Sequence, residues 1–294
     1  MPKLHYGPRP HVRAERERLS ELRFERIDVR PAGTTLGAEI DGIDLGSLDD
    51  ATFAEIERAF LEYKVIFFHD QKISTEQHLA FAERFGELED HPFLRAKDGY
   101  DKIVEFAKDD KTIGVENAWH SDVTWREVPS LGSVLRAVEI PACGGDTLFA
   151  DMEAAYAGLG AATKKRIDGL VAVHDFVHNF GLLMSEEERT AHRAQYPEAR
   201  HPVVRTHPVT GRKSLYVNAI FTRSIEGLPE EESAALLASL YRHADVPEYQ
   251  CRFHWRKDSI AFWDNRAVQH YAVSDYDPQR RVMDRVTIIG DRPR

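Results

Sequence analysis

The sequence is poor in the features that mark several large classes of protein. Only two of its 294 residues are cysteine, and Cys143 and Cys251 have no CxxC or framework spacing, so we expect buried thiols rather than a disulfide or a zinc site. Positive charge is also scarce, since 39 Lys and Arg stand against 49 Asp and Glu. Because a nucleic-acid-binding surface normally needs a basic patch, this balance argues against a nucleic acid partner.

Long apolar runs are missing as well. The longest are VIFF at 65–68 and IAFW at 260–263, and both are far shorter than a membrane-spanning helix. The N-terminal segment also lacks the apolar stretch of a signal peptide. We therefore expect a cytoplasmic protein with no membrane partner.

What is present is the composition of a globular chain, 42% hydrophobic and 30% charged. Many short β-branched or aromatic runs are separated by turn residues such as PACGGD, and neither a G-x-G-x-x-G motif nor a P-loop occurs. This pattern predicts a β-rich α+β fold, a jelly roll or barrel, rather than a doubly wound sheet. Amphipathic helices are expected at 49–64, 74–86 and 229–244, the second with the capping-box spacing of Ser74 and Gln77.

Two segments differ from this pattern. Residues 1–22 are rich in Arg, Glu and Pro with little apolar periodicity, and we expect a mobile or loosely docked arm outside the core. Residues 23–294 then form one domain. Within that domain, the long polar stretch 178–200 is a candidate lid.

Three residues form a candidate metal site. His120 and Asp122 stand two apart in AWHSDVTW, which is predicted to be extended, so their side chains point to the same face. With His270 they make a 2-His-1-carboxylate set, which suits non-haem Fe(II) because open coordination positions remain. Two ordinary buried histidines are the alternative. The second H-x-D, at His243 and Asp245, lies at a helix end, where side chains two apart diverge by about 200° and cannot share one ion.

The strand predicted at RRVMDRVTII carries two arginines. Alternation places Arg281 and Arg285 on one face of a strand whose two faces both hold apolar residues. A buried guanidinium needs an anion as its partner. That anion can be a ligand's carboxylate or sulfonate, or a carboxylate of the protein itself. The nearby protein carboxylates are Asp275, Asp277 and Asp284.

Four sequence blocks resemble the taurine dioxygenase family of Fe(II)- and 2-oxoglutarate-dependent oxygenases, which includes alkylsulfatases and aryloxyalkanoate dioxygenases. The blocks are AWHSDVTW, GGDTLFADMEAAY, HPVVRTHPVTGRKSLYVN and WDNRAVQHYAVSDYDPQRRVMDRVTIIGD. The resemblance implies a double-stranded β-helix, or jelly roll, flanked by helices. It also implies an enzyme that uses Fe(II), 2-oxoglutarate and O2, in which His120, Asp122 and His270 hold iron. Thr147 and Arg281 would meet the distal carboxylate of 2-oxoglutarate.

The resemblance also implies a substrate site. His91 and Arg285 match the family's anion-binding histidine and arginine, which indicates a small anionic substrate: taurine, an alkyl sulfonate or an alkyl sulfate ester. Oxidation would release sulfite or sulfate and an aldehyde. At the other end of the site, Leu94 replaces a tyrosine of the taurine enzymes and makes that end more apolar, while Glu116 replaces an asparagine and can still meet an ammonium. The remaining matches to pocket positions are Asn179, Phe180 and Phe221.

Other interpretations stay open on the sequence. A phenoxy acid is the next choice of substrate, because the same cationic pair would hold its carboxylate. A hydrolase or isomerase with Zn²⁺ or Mn²⁺ in the same pocket would leave Arg281 and Thr147 without a role, and a binding protein on this scaffold would need no open metal position. Thr147 can also simply finish a turn, and Phe180 and Phe221 can belong to the core. We further expect a homo-oligomer.

Overall fold

The computed structural model describes residues 7–91, 94–112 and 117–294. The helices are α1 (Pro10–Ser20), α2 (Asp50–Tyr63), α3 (Thr75–Glu83), α4 (Met152–Ala157), α5 (Ala161–Ile167), α6 (Val177–Phe180), α7 (Glu186–Gln195) and α8 (Glu230–Tyr241). The strands are β1 (Asp28–Pro31), β2 (Ala38–Asp41), β3 (Val65–Phe68), β4 (Ala96–Lys97), β5 (Tyr100–Lys108), β6 (Ser130–Glu139), β7 (Thr147–Asp151), β8 (Val171–His174), β9 (Ala199–Pro202), β10 (Val204–Thr206), β11 (Lys213–Leu215), β12 (Thr222–Ile225), β13 (Gln250–Phe253), β14 (Ile260–Asp264), β15 (Val268–Ala272) and β16 (Arg281–Ile289). None of the helices in these ranges combines the length and apolar character needed to cross a bilayer.

The largest sheet has eight strands in the order β1-β2-β3-β14-β6-β16-β5-β4. Its inner strand β3 is buried along its whole length, with Ile66 and Phe68 in one apolar cluster and Val65 and Phe67 in another. A strand covered on both faces requires such a continuous apolar run instead of an alternating one. The VIFF run is therefore a central strand between two layers.

Helices α1 to α3 cover one face of the large sheet. The ring of Phe60 on α2 stacks on Phe262 of β14, with centroids 3.9 Å apart and planes 3° from parallel. The N-terminus of α3 is closed by the reciprocal capping box of Ser74 and Gln77 that the sequence predicts. Both helices begin where expected, and both end earlier than the predicted ranges.

The position of α1 corrects one expectation. Leu19 is buried in the same cluster as the α2 side chains, and Glu15 forms an ion pair with the buried ammonium of Lys64 at 3.3 Å. The exclusion of residues 1–22 from the core is therefore wrong for α1. Its buried residues are few, Val12 and Leu19, and this spacing is too sparse to give the periodicity by which a helix is recognised.

A three-stranded sheet, β13-β7-β15, lies against the other face of the large sheet. Phe149 of β7 packs on Phe67 and on Trp263 of the large sheet, with ring centroids 5.6 and 5.8 Å apart. Two facing sheets, antiparallel except for the β2–β3 pair, enclose one apolar layer and form a jelly roll with flanking helices, which confirms the predicted fold class. Sheets β12-β8-β9 and β10-β11 extend the fold beside it.

The stretch 178–200 is mostly helical. Helix α6 leads into a 3₁₀ turn at 181–183, and α7 begins with a second capping box, Ser185 with Glu188. That serine and glutamate spacing is visible in the sequence and could have identified the helix. Phe176, Val177 and Tyr196 pack the segment against Trp125.

The buried histidine His78 on α3 predicts a pH dependence of stability. Its Nε2 donates to the carbonyl oxygen of Val134 at 3.1 Å, and burial lowers its pKa from 6.5 to about 4. The unfolded chain therefore binds a proton at this histidine more readily than the folded chain does. The contribution of neutral His78 to the free energy of unfolding is fully present above about pH 6.5 and is lost as the pH falls toward about 4. In urea unfolding, we expect His78→Gln to remove up to about 3 kcal/mol of that decline. The control His254→Gln changes an exposed histidine, and an equal change in both variants would contradict the assignment.

Candidate active site

The three predicted metal ligands meet at one end of the jelly roll. His120 and His270 pair through their main chains as an isolated β-bridge, with N···O distances of 3.1 and 2.8 Å. The Nε2 atom of each histidine lies 3.8 Å from Oδ1 of Asp122. All three candidate ligand atoms lie within 4.8 Å of one another. Two nitrogens and one carboxylate oxygen in this arrangement can hold a divalent metal on one face.

The histidine rings are held in a form that suits metal binding. Nδ1 of His120 donates to the carbonyl oxygen of Ala118 at 2.8 Å, so the lone pair of this ring lies on Nε2. His270 is buried beside the ring of Trp263, 4.8 Å between centroids. Burial, and then the neighbouring His120, lowers its pKa to about 3. The ring of His270 is thus available as a neutral ligand, as metal coordination requires.

Asp122 is buried and charged. Burial opposes its ionisation, but Arg285 and the three histidines His270, His120 and His91 outweigh this effect and lower its pKa to about 2. The guanidinium Nη1 of Arg285 lies 3.3 Å from Oδ1, and the hydroxyl of Ser133 donates to Oδ2 at 3.3 Å. The carboxylate therefore carries its negative charge at neutral pH and keeps a fixed orientation.

Arg285 has a different partner from those that sequence proximity suggests. Its carboxylate partner is Asp122, and its guanidinium lies over the ring of Phe106 at 4.8 Å. Asp284 points to the opposite face of β16 and pairs with Lys97 instead. The other two suggested partners, Asp275 and Asp277, also form no ion pair with Arg285 among the pairs within the described residues. The prediction that one face of β16 presents the arginines is confirmed, and both faces are buried.

His91 lies near the charged guanidinium of Arg285. Its Nδ1 accepts the amide hydrogen of Leu94 at 3.1 Å, so its ring proton lies on Nε2. Burial first, and then the charge of Arg285, lowers its pKa to about 4. The ring is consequently neutral at physiological pH. It can therefore donate one hydrogen bond to an anion but adds no charge of its own.

Thr147 and Arg281 lie in one cavity with His120 and His270. The hydroxyl oxygen of Thr147 accepts the indole hydrogen of Trp255 at 2.9 Å. Its own hydrogen is thereby left for an acceptor in the cavity. The Arg281 guanidinium is 6.0 and 5.7 Å from the ring centroids of Trp255 and Tyr276.

The remaining predicted positions differ in their surroundings. Phe221 is edge-on to His120, with centroids 6.4 Å apart, and Phe180 lies 5.9 Å from Phe221. The side-chain amide of Asn179 instead donates to the carbonyls at 219 and 220, at 2.7 and 2.8 Å, and so supports the turn before Phe221. Glu116 lies outside the described residues. The second H-x-D, at 243 and 245, belongs to no group of three or more candidate metal ligands (a metal-type cluster) among the described residues.

Several contributors to the site were not found from the sequence. Ser133 donates to Asp122, Trp255 donates to Thr147, and Phe106 lies under the guanidinium of Arg285. The second and third of these contacts join residues more than 100 positions apart in the chain. Spacing carries no information about such register-dependent contacts. Asn265 stands in the WDNR block, and that block is the only sequence feature that could have pointed to it.

The fold and this site define a class: a jelly roll with a 2-His-1-carboxylate cluster beside a cationic cavity is the arrangement of Fe(II)- and 2-oxoglutarate-dependent dioxygenases. The family model described as taurine catabolism dioxygenase TauD, TfdA family matches residues 28–287. The chain belongs to this family and is a dioxygenase that uses Fe(II), 2-oxoglutarate and O2.

The similar proteins cover nearly all of the chain. An alkylsulfatase of Acinetobacter baylyi is 38% identical over 277 residues, covering 91% of this chain and 86% of the relative. An alpha-ketoglutarate-dependent sulfate ester dioxygenase of Pseudomonas putida is 37% identical, covering 91% of each. The crystal structure of a taurine dioxygenase from Burkholderia xenovorans has a TM-score of 0.79 at 37% identity, covering 92% of this chain and 91% of that one.

Proposed function

We propose that this chain oxidises a small organosulfur anion, with an alkyl sulfate ester as the preferred substrate class and alkyl sulfonates, including taurine, as related substrates. One observation carries the proposal. The described residues that line the cavity beside the His120, Asp122 and His270 cluster include cations and no carboxylate. Such a cavity is suited to anionic ligands. The 38% and 37% identity to two sulfate ester enzymes supports the sulfur head group.

In this proposal, His120, Asp122 and His270 hold Fe(II). The fit is supported by the free Nε2 position of His120 and by the ionised, immobilised carboxylate of Asp122. Two imidazoles and one carboxylate would leave open positions on the metal for other ligands. When bound, Fe(II) with 2-oxoglutarate and O2 supplies the oxidation that converts a substrate C–H into C–OH, with succinate and carbon dioxide as co-products.

Arg281 and Thr147 are proposed to bind the distal carboxylate of 2-oxoglutarate. The guanidinium can donate two parallel hydrogen bonds, and the threonine hydroxyl, already accepting from Trp255, donates a third. Both residues are buried. Their charge and hydrogen bonds therefore act in a low dielectric, where they are stronger than in water.

Arg285 and His91 are proposed to hold the substrate's sulfur oxyanion. Arg285 lies beside the carboxylate of the metal cluster at 3.3 Å, so an anion bound to it has its neighbouring carbon close to the metal position. His91 adds a hydrogen bond without a second charge. Leu94, the exposed ring of Phe180 and the buried ring of Phe221 are proposed to provide an apolar region for the carbon chain.

The products follow from the position of oxidation. Hydroxylation of the carbon that bears the sulfate oxygen converts R–CH2–OSO3⁻ into R–CH(OH)–OSO3⁻. The hydroxyl proton and the C–O bond electrons then leave with sulfate, which gives R–CHO and HSO4⁻. A sulfonate reacts in the same way at its C–S bond and releases HSO3⁻. No protein nucleophile is needed for either collapse.

A substrate panel tests the proposal. The purified protein with Fe(II), 2-oxoglutarate and O2 is given alkyl sulfates, alkyl sulfonates, taurine and phenoxy acids, and succinate, sulfate and sulfite are measured. We expect the highest kcat/KM with an alkyl sulfate and equimolar succinate and sulfate. Turnover of phenoxy acids without release of sulfate or sulfite from any sulfur compound would overturn the proposed substrate class and favour an aryloxyalkanoate dioxygenase.

A further inference from the structure

The turn that joins β14 to β15 holds a fully buried side-chain amide, that of Asn265 (0% exposed). Its Oδ1 accepts the main-chain N–H of Asp122 at 2.6 Å, and its Nδ2 donates to the main-chain carbonyl of the same residue at 2.9 Å. One side chain thus binds both main-chain polar groups of Asp122. These contacts leave the carboxylate of Asp122 free to face the metal position.

Both polar atoms of the Asn265 amide have hydrogen-bond partners. Nδ2 also lies 3.2 and 3.1 Å from the carbonyl and hydroxyl oxygens of Ser130 at the start of β6. A shorter side chain at position 265 would leave the buried amide and carbonyl of Asp122 without these partners, and a buried polar group without a partner is costly. The length and the amide of the Asn265 side chain therefore match the main-chain geometry at Asp122.

The residue after Asp122 shows why the geometry needs support. Val123 has a φ of 47°, and a β-branched residue in this region of backbone space is strained and persists only where its surroundings hold it. Two further side chains hold the same turn. The Nε2 hydrogen of His201 is shared by the carbonyl oxygens of Thr124 and Arg126, at 2.8 and 2.9 Å. The hydroxyl of Ser121 donates to the carbonyl oxygen of Val268 at 2.8 Å.

We infer that Asn265 is a positioning residue of the metal centre, which sets the direction of the Asp122 carboxylate relative to the two histidines. Its location supports this role, because β15, which begins three residues later, carries His270. Asn265 therefore links the segment of one ligand to the strand of another. The inference rests on the proposed metal role of the cluster.

The test measures Mn(II) affinity by calorimetry, separately from turnover, together with the melting temperature of the metal-free protein. Asn265→Ala is expected to raise the Kd for Mn(II) about 10- to 100-fold, as loss of residues that orient metal ligands does. Asn265→Asp keeps the acceptor for the Asp122 N–H but loses the donor to its carbonyl. Its second carboxylate oxygen faces the carbonyl oxygens of Asp122 and Ser130, so it is expected to raise the Kd at least as much. Asn265→Ser, which keeps a polar group at this position, serves if neither of these variants folds.

Gln71 offers a matched control. This buried amide also binds main chain, accepting from Leu45 at 2.9 Å and donating to Ile43 and His69 at 3.2 and 3.0 Å, and it contacts no metal ligand through these bonds. Gln71→Ala should lower the melting temperature and leave the Kd unchanged. If the position 265 variants lower only the melting temperature, the positioning role is wrong. If the unaltered protein fails to bind Mn(II), the metal centre itself is wrong.

Discussion

Asp122→Asn is expected to abolish turnover and to weaken metal binding by more than about 100-fold, since even residues that only orient ligands cost 10- to 100-fold. The amide has the shape of the carboxylate but lacks its charge, so the metal loses its only anionic protein ligand in the proposed set. The neighbouring Arg285 also loses its partner at 3.3 Å. Removing one member of such a buried pair costs about 3–5 kcal/mol, and the metal-free variant should therefore melt at a lower temperature.

The sequence contains its own control for this experiment. Asp245 occupies the second H-x-D and lies outside the metal-type cluster, so Asp245→Asn should bind Mn(II) with unchanged affinity and retain full succinate formation. Calorimetry measures the affinity, and succinate release measures turnover. Normal metal affinity in Asp122→Asn would remove this aspartate from the site.

Arg281→Ala is expected to raise the KM for 2-oxoglutarate by roughly 30- to 5,000-fold, which corresponds to the roughly 2–5 kcal/mol lost when one partner of a buried charge pair is truncated. Metal affinity should stay unchanged, because Arg281 is not one of the three candidate metal ligands. Arg281→Lys keeps the charge but loses the paired donors of the guanidinium, so we expect an intermediate KM.

Arg280 is the matched control for that variant. It stands immediately before Arg281, the first residue of β16. Its side chain is about half exposed and pairs with Glu139 outside the cavity. Arg280→Ala should leave the KM for 2-oxoglutarate within a factor of about two, since exposed ion pairs contribute little. The anaerobic Fe(II) protein with 2-oxoglutarate should show a weak visible charge-transfer band. An unchanged band and KM in Arg281→Ala would contradict the co-substrate role.

Two charged residues four apart on one strand explain much of the site. Because side chains alternate along β16, Arg281 and Arg285 face the cavity, while Asp284 faces the helices and pairs with Lys97. A shift of one residue in register would exchange these faces. The pairing of β16 with both β5 and β6 maintains the register and thereby places both cations beside the metal cluster.

The local pattern of the sequence was enough for the elements that depend on neighbouring residues. The capping box of α3 and the alternation along β16 both follow from interactions within a few residues. The H-x-D spacing and the family blocks were likewise sufficient to select His120, Asp122 and His270 from 14 histidines and 49 acidic residues. These features are encoded at short range or in ordered motifs.

Only the tertiary structure decided the partners of these residues. The pairing of Arg285 with Asp122, the bond from Trp255 to Thr147 and the contacts of Asn265 with Asp122 join residues 108 to 163 positions apart. Their geometry depends on strand order and sheet packing, and no local spacing specifies either. The docking of α1 has the same cause, because its two buried side chains gain their partners only when the rest of the fold is in place.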